Sequence, residues 1–134
     1  MTVERFGSGG PYEEIYGYSR VVRAGDRLVT AGCTATVDGE VTGVGDPYAQ
    51  TLTAFRIALD ALAAAGAGPA EVIRTRMYVT DRAHADPAGR AHGELFAGVR
   101  PAATLVIVAG LLHPAMLVEV EVEALSRPLA RVDA

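Results

Sequence analysis

The chain has 134 residues, 50% of them hydrophobic and 21% charged, the size and mixture of one globular domain able to bury a core without disulfides or metals. Its 16 acidic and 12 basic residues give a formal net charge of −4 with both signs interspersed, which argues against a nucleic-acid-binding surface. One cysteine, Cys33, excludes an intramolecular disulfide, no apolar run approaches the ~20 residues needed to cross a bilayer, and the polar, glycine-rich start is unlike a secretory signal, so a reduced cytoplasmic protein is expected.

The whole chain, residues 1–134, reads as a single domain, with residues 1–11 a loose lead-in and 128–134 a loose tail. Gly7, Ser8, Gly9, Gly10 and Pro11 favour neither helix nor strand. Residues 18–24 (YSRVVRA) and 27–31 (RLVTA) are rich in β-formers, and Gly25-Asp26 between them predicts a hairpin. A second hairpin is expected at once, because Thr36-Val37 and Glu40-Val41 flank Asp38-Gly39, a dipeptide suited to a type I′ turn.

Asp46-Pro47 is a helix start, since the aspartate can cap an orphan amide and proline at the first helical position lacks only a donor that would be unpaired anyway. Leu52, Phe55, Leu59 and Leu62 recur at helical spacing until Gly66 and Gly68-Pro69 end the run. Residues 71–80 (EVIRTRMYVT) alternate as a strand, with Val72, Arg74, Arg76, Tyr78 and Thr80 on one face and Ile73, Thr75, Met77 and Val79 on the other. Asp86-Pro87 repeats the helix-start signature, and Leu95, Phe96 and Val99 give that helix a short apolar side before Gly98 and Pro101. Residues 104–109 (TLVIVA) and 116–125 (MLVEVEVEAL) close the chain as strands.

The expected order is ββ(β)αβαββ, an α/β (α+β) fold with a single mixed sheet. Two helices can cover only one face of such a sheet. The other face must be hidden by something, and association of identical subunits would do so.

Several residues could carry chemistry. His84, His92 and His113 have no metal-ligand spacing, and no metal or other cofactor is expected. His92 and Glu94 sit two apart on the predicted helix and so point to different sides; a packed histidine is the commoner reading for His92. Cys33, just after Gly32 at a strand end, could face a pocket, although a free cysteine is usually a small buried hydrophobe. Glu119, Glu121 and Glu123 share one face of the last strand, where three carboxylates repel and must be solvated or paired. One of them could order a water as a general base. Arg74, Arg76 and Arg100 could clamp an anion, because a guanidinium binds a carboxylate in bidentate fashion. No GxGxxG, Walker or nucleophile-elbow pattern occurs.

Taken together, Tyr18 before the first hairpin, Val29-Thr30-Ala31-Gly32, residues 74–81 (RTRMYVTD), Arg100-Pro101-Ala102-Ala103-Thr104 and residues 116–121 (MLVEVE) resemble the reactive intermediate deaminase family, also called Rid or YjgF. The resemblance runs from about Tyr16 to Leu125. It implies a chorismate-mutase-like fold with two helices on one face of the sheet, a homotrimer around a β-lined core, and three small-molecule clefts between subunits.

In deaminating members an arginine in a Pro-Ala-Arg-Ser sequence holds the substrate carboxylate, and a glutamate near the start of the last strand positions the water that hydrolyses an imine or enamine. The resemblance puts that glutamate at Glu119 and the aromatic residue of the cleft at Tyr18. The arginine's position is Ala103, and the usual polar residue after the strand glycine is Cys33. The chain thus resembles a branch lacking the arginine. Arg100 and Arg76 are candidate substitutes, Thr104 and Cys33 would shape the cleft, and His92 with Glu94 resembles a pattern of such branches. Two expectations follow: a hydrolase of a labile C–N bond in a small molecule, with Glu119 positioning water, or a non-catalytic metabolite-binding or scaffold trimer using the same clefts.

Overall fold

A computed structural model of the chain describes residues 1–126, so the tail expected at 128–134 lies outside the described residues. The lead-in is structured, contrary to expectation. Residues Val3–Phe6 form strand β1, paired antiparallel with β2 (Val21–Ala24), and Pro11–Tyr16 form a short helix, α1. Glycine content concealed both. β1 is recruited by the unpaired edge of β2, and α1 starts on Pro11 at a position where proline is pre-organised for a helix.

Strand β3 (Arg27–Thr30) completes the first hairpin. After Gly32 the two-residue strand β4 (Cys33–Thr34) is followed by β5 (Thr36–Val37) and β6 (Glu40–Val41). Asp38 and Gly39 both have positive φ, 51° and 80°, as the tight turn requires. This second hairpin is a separate two-stranded sheet, so the chain has one main sheet and one small one. Helix α2 (Pro47–Ala64) begins where Asp46 accepts a hydrogen bond from the Ala49 amide.

Strand β7 (Val72–Val79), helix α3 (Ala85–Phe96), β8 (Ala102–Ile107) and β9 (Val118–Leu125) follow. Two sequence expectations are corrected here. A register shift between Val72 and Arg74 moves Val72 to the core side with Thr75, Met77 and Val79, and leaves Ile73 exposed. Asp86 lies inside the first turn of α3 rather than capping it; the cap is displaced to Asp81, which accepts from the Ala83 amide in a single 3-10 turn ahead of the helix.

The main sheet runs β1-β2-β3-β9-β7-β8, with β4 also paired to β9. It is mixed, because β8 runs parallel to β7 while the other pairs are antiparallel. Helices α2 and α3 pack on one face, where Leu28, Val79, Val118, Val120, Val122 and Ala124 are buried with Phe55, Leu62 and Phe96. The opposite face carries no helix. There the cross-strand rows are Arg74 beside Glu123, Arg76 beside Glu121 and Tyr78 beside Glu119.

Candidate functional site

Alternation along β9 sends Val118, Val120 and Val122 into the core and Glu119, Glu121 and Glu123 to the uncovered face. Repulsion along such a row is relieved by pairing, and two of the three are paired. Glu123 receives Arg27 at 2.8 Å and Arg76 at 3.0 Å, which together outweigh its burial and hold its carboxyl below the usual range. Glu121 accepts the Tyr78 hydroxyl and lies 3.8 Å from Arg76. Glu119 differs: among the described residues it makes no ion pair within 4.0 Å. Its burial, reinforced by Glu121 and opposed by Arg20, raises its carboxyl above the usual 4.5.

A backbone approach fixes the Glu119 carboxyl. Thr34 pairs with Glu119 across the ladder, and Gly32 leaves open the space that the carboxyl occupies. Any β-carbon at Gly32 would overlap the carboxyl oxygen. The start of β9 is held from the other side by Gln50 of α2, which is fully buried. Its amide donates to the Ala115 carbonyl at 2.8 Å and accepts from the Leu117 amide at 2.8 Å. Sequence reasoning missed Gln50, whose only signal was a polar residue on the apolar side of an amphipathic helix.

Arg20 was missed as well. Its guanidinium donates to the Gly32 carbonyl at 2.7 Å, lies 3.6 Å from the Cys33 sulfur and sits 5.6 Å from the centre of the Tyr18 ring. It is also 3.8 Å from Glu13, a buried residue of α1. Burial alone would raise the Glu13 carboxyl, but hydrogen bonds from Ser8, the nearby Arg20 and the Gly10 amide outweigh it and hold it below the usual range. The glycine-rich lead-in is therefore tied through Glu13 to Arg20. Tyr18, Arg20, Gly32 and Glu119 form one cluster at the end of β9.

The remaining candidates lie elsewhere in the single chain. Cys33 pairs with Val120 and belongs to the core; burial pushes its thiol up, against the pull of Arg20. Arg76 is on the uncovered face but bound to Glu123. Thr104 lies beside Arg76 on β8, two strands from β9 and about 10 Å away across two strand spacings. Ala103 pairs with Thr75 and is exposed near the sheet edge.

Arg100 ends α3 in the left-handed region at φ 56°, and lines a surface groove of about 450 Å³ with His92, Gly93, Phe96, Ala97 and Pro101. His92 faces the core side: it packs edge-on to Phe55 at 5.6 Å and shares a 2.7 Å hydrogen bond with the Thr75 hydroxyl. Glu94 turns away to accept from Tyr48.

The environment of His92 gives a pH prediction. Burial lowers its proton affinity below the usual 6.5. As pH falls past ~6.5 the unfolded chain takes up a proton that the folded chain refuses, so this contribution to stability is complete above that pH and lost as pH falls through the folded value. Urea unfolding of wild type and His92→Gln from about pH 7.5 to about pH 5.5 is expected to show wild type losing stability relative to the variant. A constant difference would mean that His92 is not shielded from water.

Comparison with known proteins agrees with this architecture. The sequence profile of the endoribonuclease L-PSP family matches residues 11–126. An uncharacterised protein of Streptomyces coelicolor is 48% identical over 122 residues, 91% of each chain. Among solved structures, a member of the YjgF/YER057c/UK114 family from Mycobacterium tuberculosis is 40% identical, with a TM-score of 0.83 over 92% of this chain and 99% of that one. A protein of unknown function from Pseudomonas aeruginosa is 33% identical, with a TM-score of 0.81 over 93% of both chains. With that profile spanning every element from α1 to β9, and the same fold at 40% identity, the chain belongs to the YjgF/Rid family.

Proposed function

We propose that this protein is a small-molecule-binding homotrimer of the cytoplasm that hydrolyses an imine, enamine or related labile C–N bond, with Glu119 positioning the attacking water. The observation that carries the reading is Glu119 itself: a half-buried carboxyl of raised proton affinity, without an ion-pair partner among the described residues, on a face whose other glutamates are paired. A carboxyl poised this way serves as base and then acid. It takes a proton from water as the oxygen bonds to the imine carbon and returns it to nitrogen, giving a carbinolamine; it then moves the hydroxyl's remaining proton to nitrogen as the C–N bond breaks, leaving a carbonyl and ammonia or an amine. An enamine enters the same sequence after protonation on carbon.

The trimer is supported by two features. One sheet face lacks helices, and the family positions at Ala103 and Thr104 are separated from Glu119 within one chain, so that a cleft uniting them needs β8 of a neighbouring subunit. An endoribonuclease role, the name carried by the family profile, fits this face poorly, because the net charge is −4 and the face carries three glutamates.

The test is turnover of imines generated in situ by an amino-acid oxidase, using protein whose solution mass is three times 14.0 kDa. Glu119→Gln is expected to lower kcat by roughly 10²- to 10⁴-fold at unchanged solution mass; equal turnover would remove Glu119 from the chemistry. Ala103 favours a second reading, a cleft that binds metabolites without reacting, in which ligands raise the Tm of wild type and Glu119→Gln alike and neither shows turnover.

A further inference from the structure

Arg27 and Arg76 hold Glu123, and Arg76 also lies 3.8 Å from Glu121, so two carboxylates of β9 already have cations. The cation whose charge reaches Glu119 is Arg20, and its fork is divided. Nη1 donates to the Gly32 carbonyl at 2.7 Å, while Nη2 is turned toward the Glu13 carboxylate at 3.8 Å. At the same glycine, the Glu119 carboxyl lies against the α-carbon. One guanidinium, its side chain only 16% exposed, therefore has two carboxylates competing for it.

Glu13 does more than a helix start asks. As the third residue of α1 its carboxylate accepts from the Gly10 amide, the capping-box contact, and also from the amide and hydroxyl of Ser8. A glutamine fills that capping role as well, because its amide oxygen accepts the same bonds. What glutamine lacks is the negative charge facing Arg20, and a buried charge is costly to keep for a cap alone.

We propose that Glu13 is a positioning residue for Glu119: its charge holds Arg20 on the lead-in side of Gly32 and so keeps the Glu119 carboxyl from being ion-paired. This rests on the hydrolytic reading of Glu119 and adds a requirement to it. A carboxylate clamped by a guanidinium is a weak base, whereas an unpaired one can take a proton from water and return it. The other groups facing Glu119 supply no cation. Glu121 neighbours it on β9, Tyr78 across the ladder is engaged with Glu121, and Cys33 of β4 is a buried thiol. The lead-in thereby serves the chemistry without touching a reacting atom.

The experiment follows the Glu119 carboxyl by NMR across pH, together with the acid limb of kcat/KM on imines generated in situ, in wild type, Glu13→Gln, Arg20→Gln and the double variant. In Glu13→Gln, Arg20 is expected to turn to Glu119. The carboxyl then titrates at lower pH than in wild type, the acid limb follows it down, and kcat falls roughly ten- to a hundredfold at unchanged solution mass. Arg20→Gln removes the cation and moves the titration up instead. Adding Glu13→Gln to Arg20→Gln should move it no further, since Glu13 acts through Arg20. If Glu13→Gln does not fold, Glu13→Asp, which draws the charge one carbon back from Arg20, decides by the same titration and moves it part of the way down.

The proposal is overturned if Glu13→Gln leaves the Glu119 titration and the acid limb in place, as a purely structural role would, if it moves them up, or if it moves them equally with and without Arg20. Each of these outcomes leaves the hydrolytic reading standing wherever Glu119→Gln still abolishes turnover. Turnover indifferent to Glu119→Gln, with the titrations shifted as expected, would sink that reading and leave Glu13 as the residue that sets the charge state of Glu119.

Discussion

Phe55→Ala is expected to cost about 3–5 kcal/mol, close to the whole stability of a small domain. Phe55 is fully buried on α2 and meets Phe96 edge to face at 5.2 Å and 80°, with His92 packed against both rings, 5.6 Å from Phe55 and 4.8 Å from Phe96. The chain has only three phenylalanines and no tryptophan. Around that pair the core is built mostly from valine and alanine, with Leu28, Leu62 and Met77 the larger exceptions and with Ala54 and Ala58 fully buried one and three positions away on the same helix. Short side chains cannot swing into a vacated ring volume, so the cavity persists and its cost adds to the lost transfer energy. The measurements are urea unfolding for the free energy and thermal unfolding for the midpoint, both at one fixed protein concentration, with an expected fall in Tm of roughly 10–20 °C. Phe55→Leu should cost less than half as much, and a change under about 1 kcal/mol for the alanine variant would mean the helix layer is loosely packed.

The element order was legible because its signals are local. Asp46-Pro47 names its own helix start, Asp38-Gly39 its own turn, and the period-two alternation of β9 needs no partner to be recognised. What escaped depends on tertiary context. β1 is a strand because β2 offers an edge, and the bulge that reverses Val72 and Ile73 is set by β7 fitting against β9. The site divides along the same line. Glu119 could be reached through a family resemblance, and its lack of an ion-pair partner among the described residues is visible only once Arg27, Arg76 and Tyr78 are placed beside its neighbours. Arg20 was unreadable for a related reason: in sequence it is one more arginine in a β-rich run, and only the fold brings Gly32, Tyr18 and Glu13 around it. His92 went the other way, from a candidate ligand contact to a packed ring, because Phe55 and Thr75 reach it from distant segments.

Gly32→Ala should remove activity nearly as fully as Glu119→Gln while leaving the fold intact. The backbone at Gly32 is not in the left-handed region, so alanine fits its dihedral angles, and the unfolded chain loses a little freedom in the exchange. The new methyl group, however, would fall on the Glu119 carboxyl oxygen and 2.9 Å from its Cδ. The neighbour that yields is the far end of a flexible side chain, so the carboxyl swings away at little cost to stability. A displacement of even ~1 Å from a reacting group can cost about a hundredfold in rate.

Titration provides an independent readout. Burial raises the Glu119 carboxyl above 4.5, so its contribution to stability is fully present below that pH and is lost as pH rises through the folded value. Once displaced into solvent, the group returns toward its ordinary value and that pH dependence disappears. The expected result is a Tm within about 2 °C of wild type, turnover lowered at least about a hundredfold, and a Glu119 carboxyl resonance that titrates at lower pH than in wild type. Full activity in Gly32→Ala would mean that the chemistry does not depend on where Gly32 places the Glu119 carboxyl. Lost activity with an unshifted titration would locate the damage at the Gly32 carbonyl and its bond to Arg20 instead.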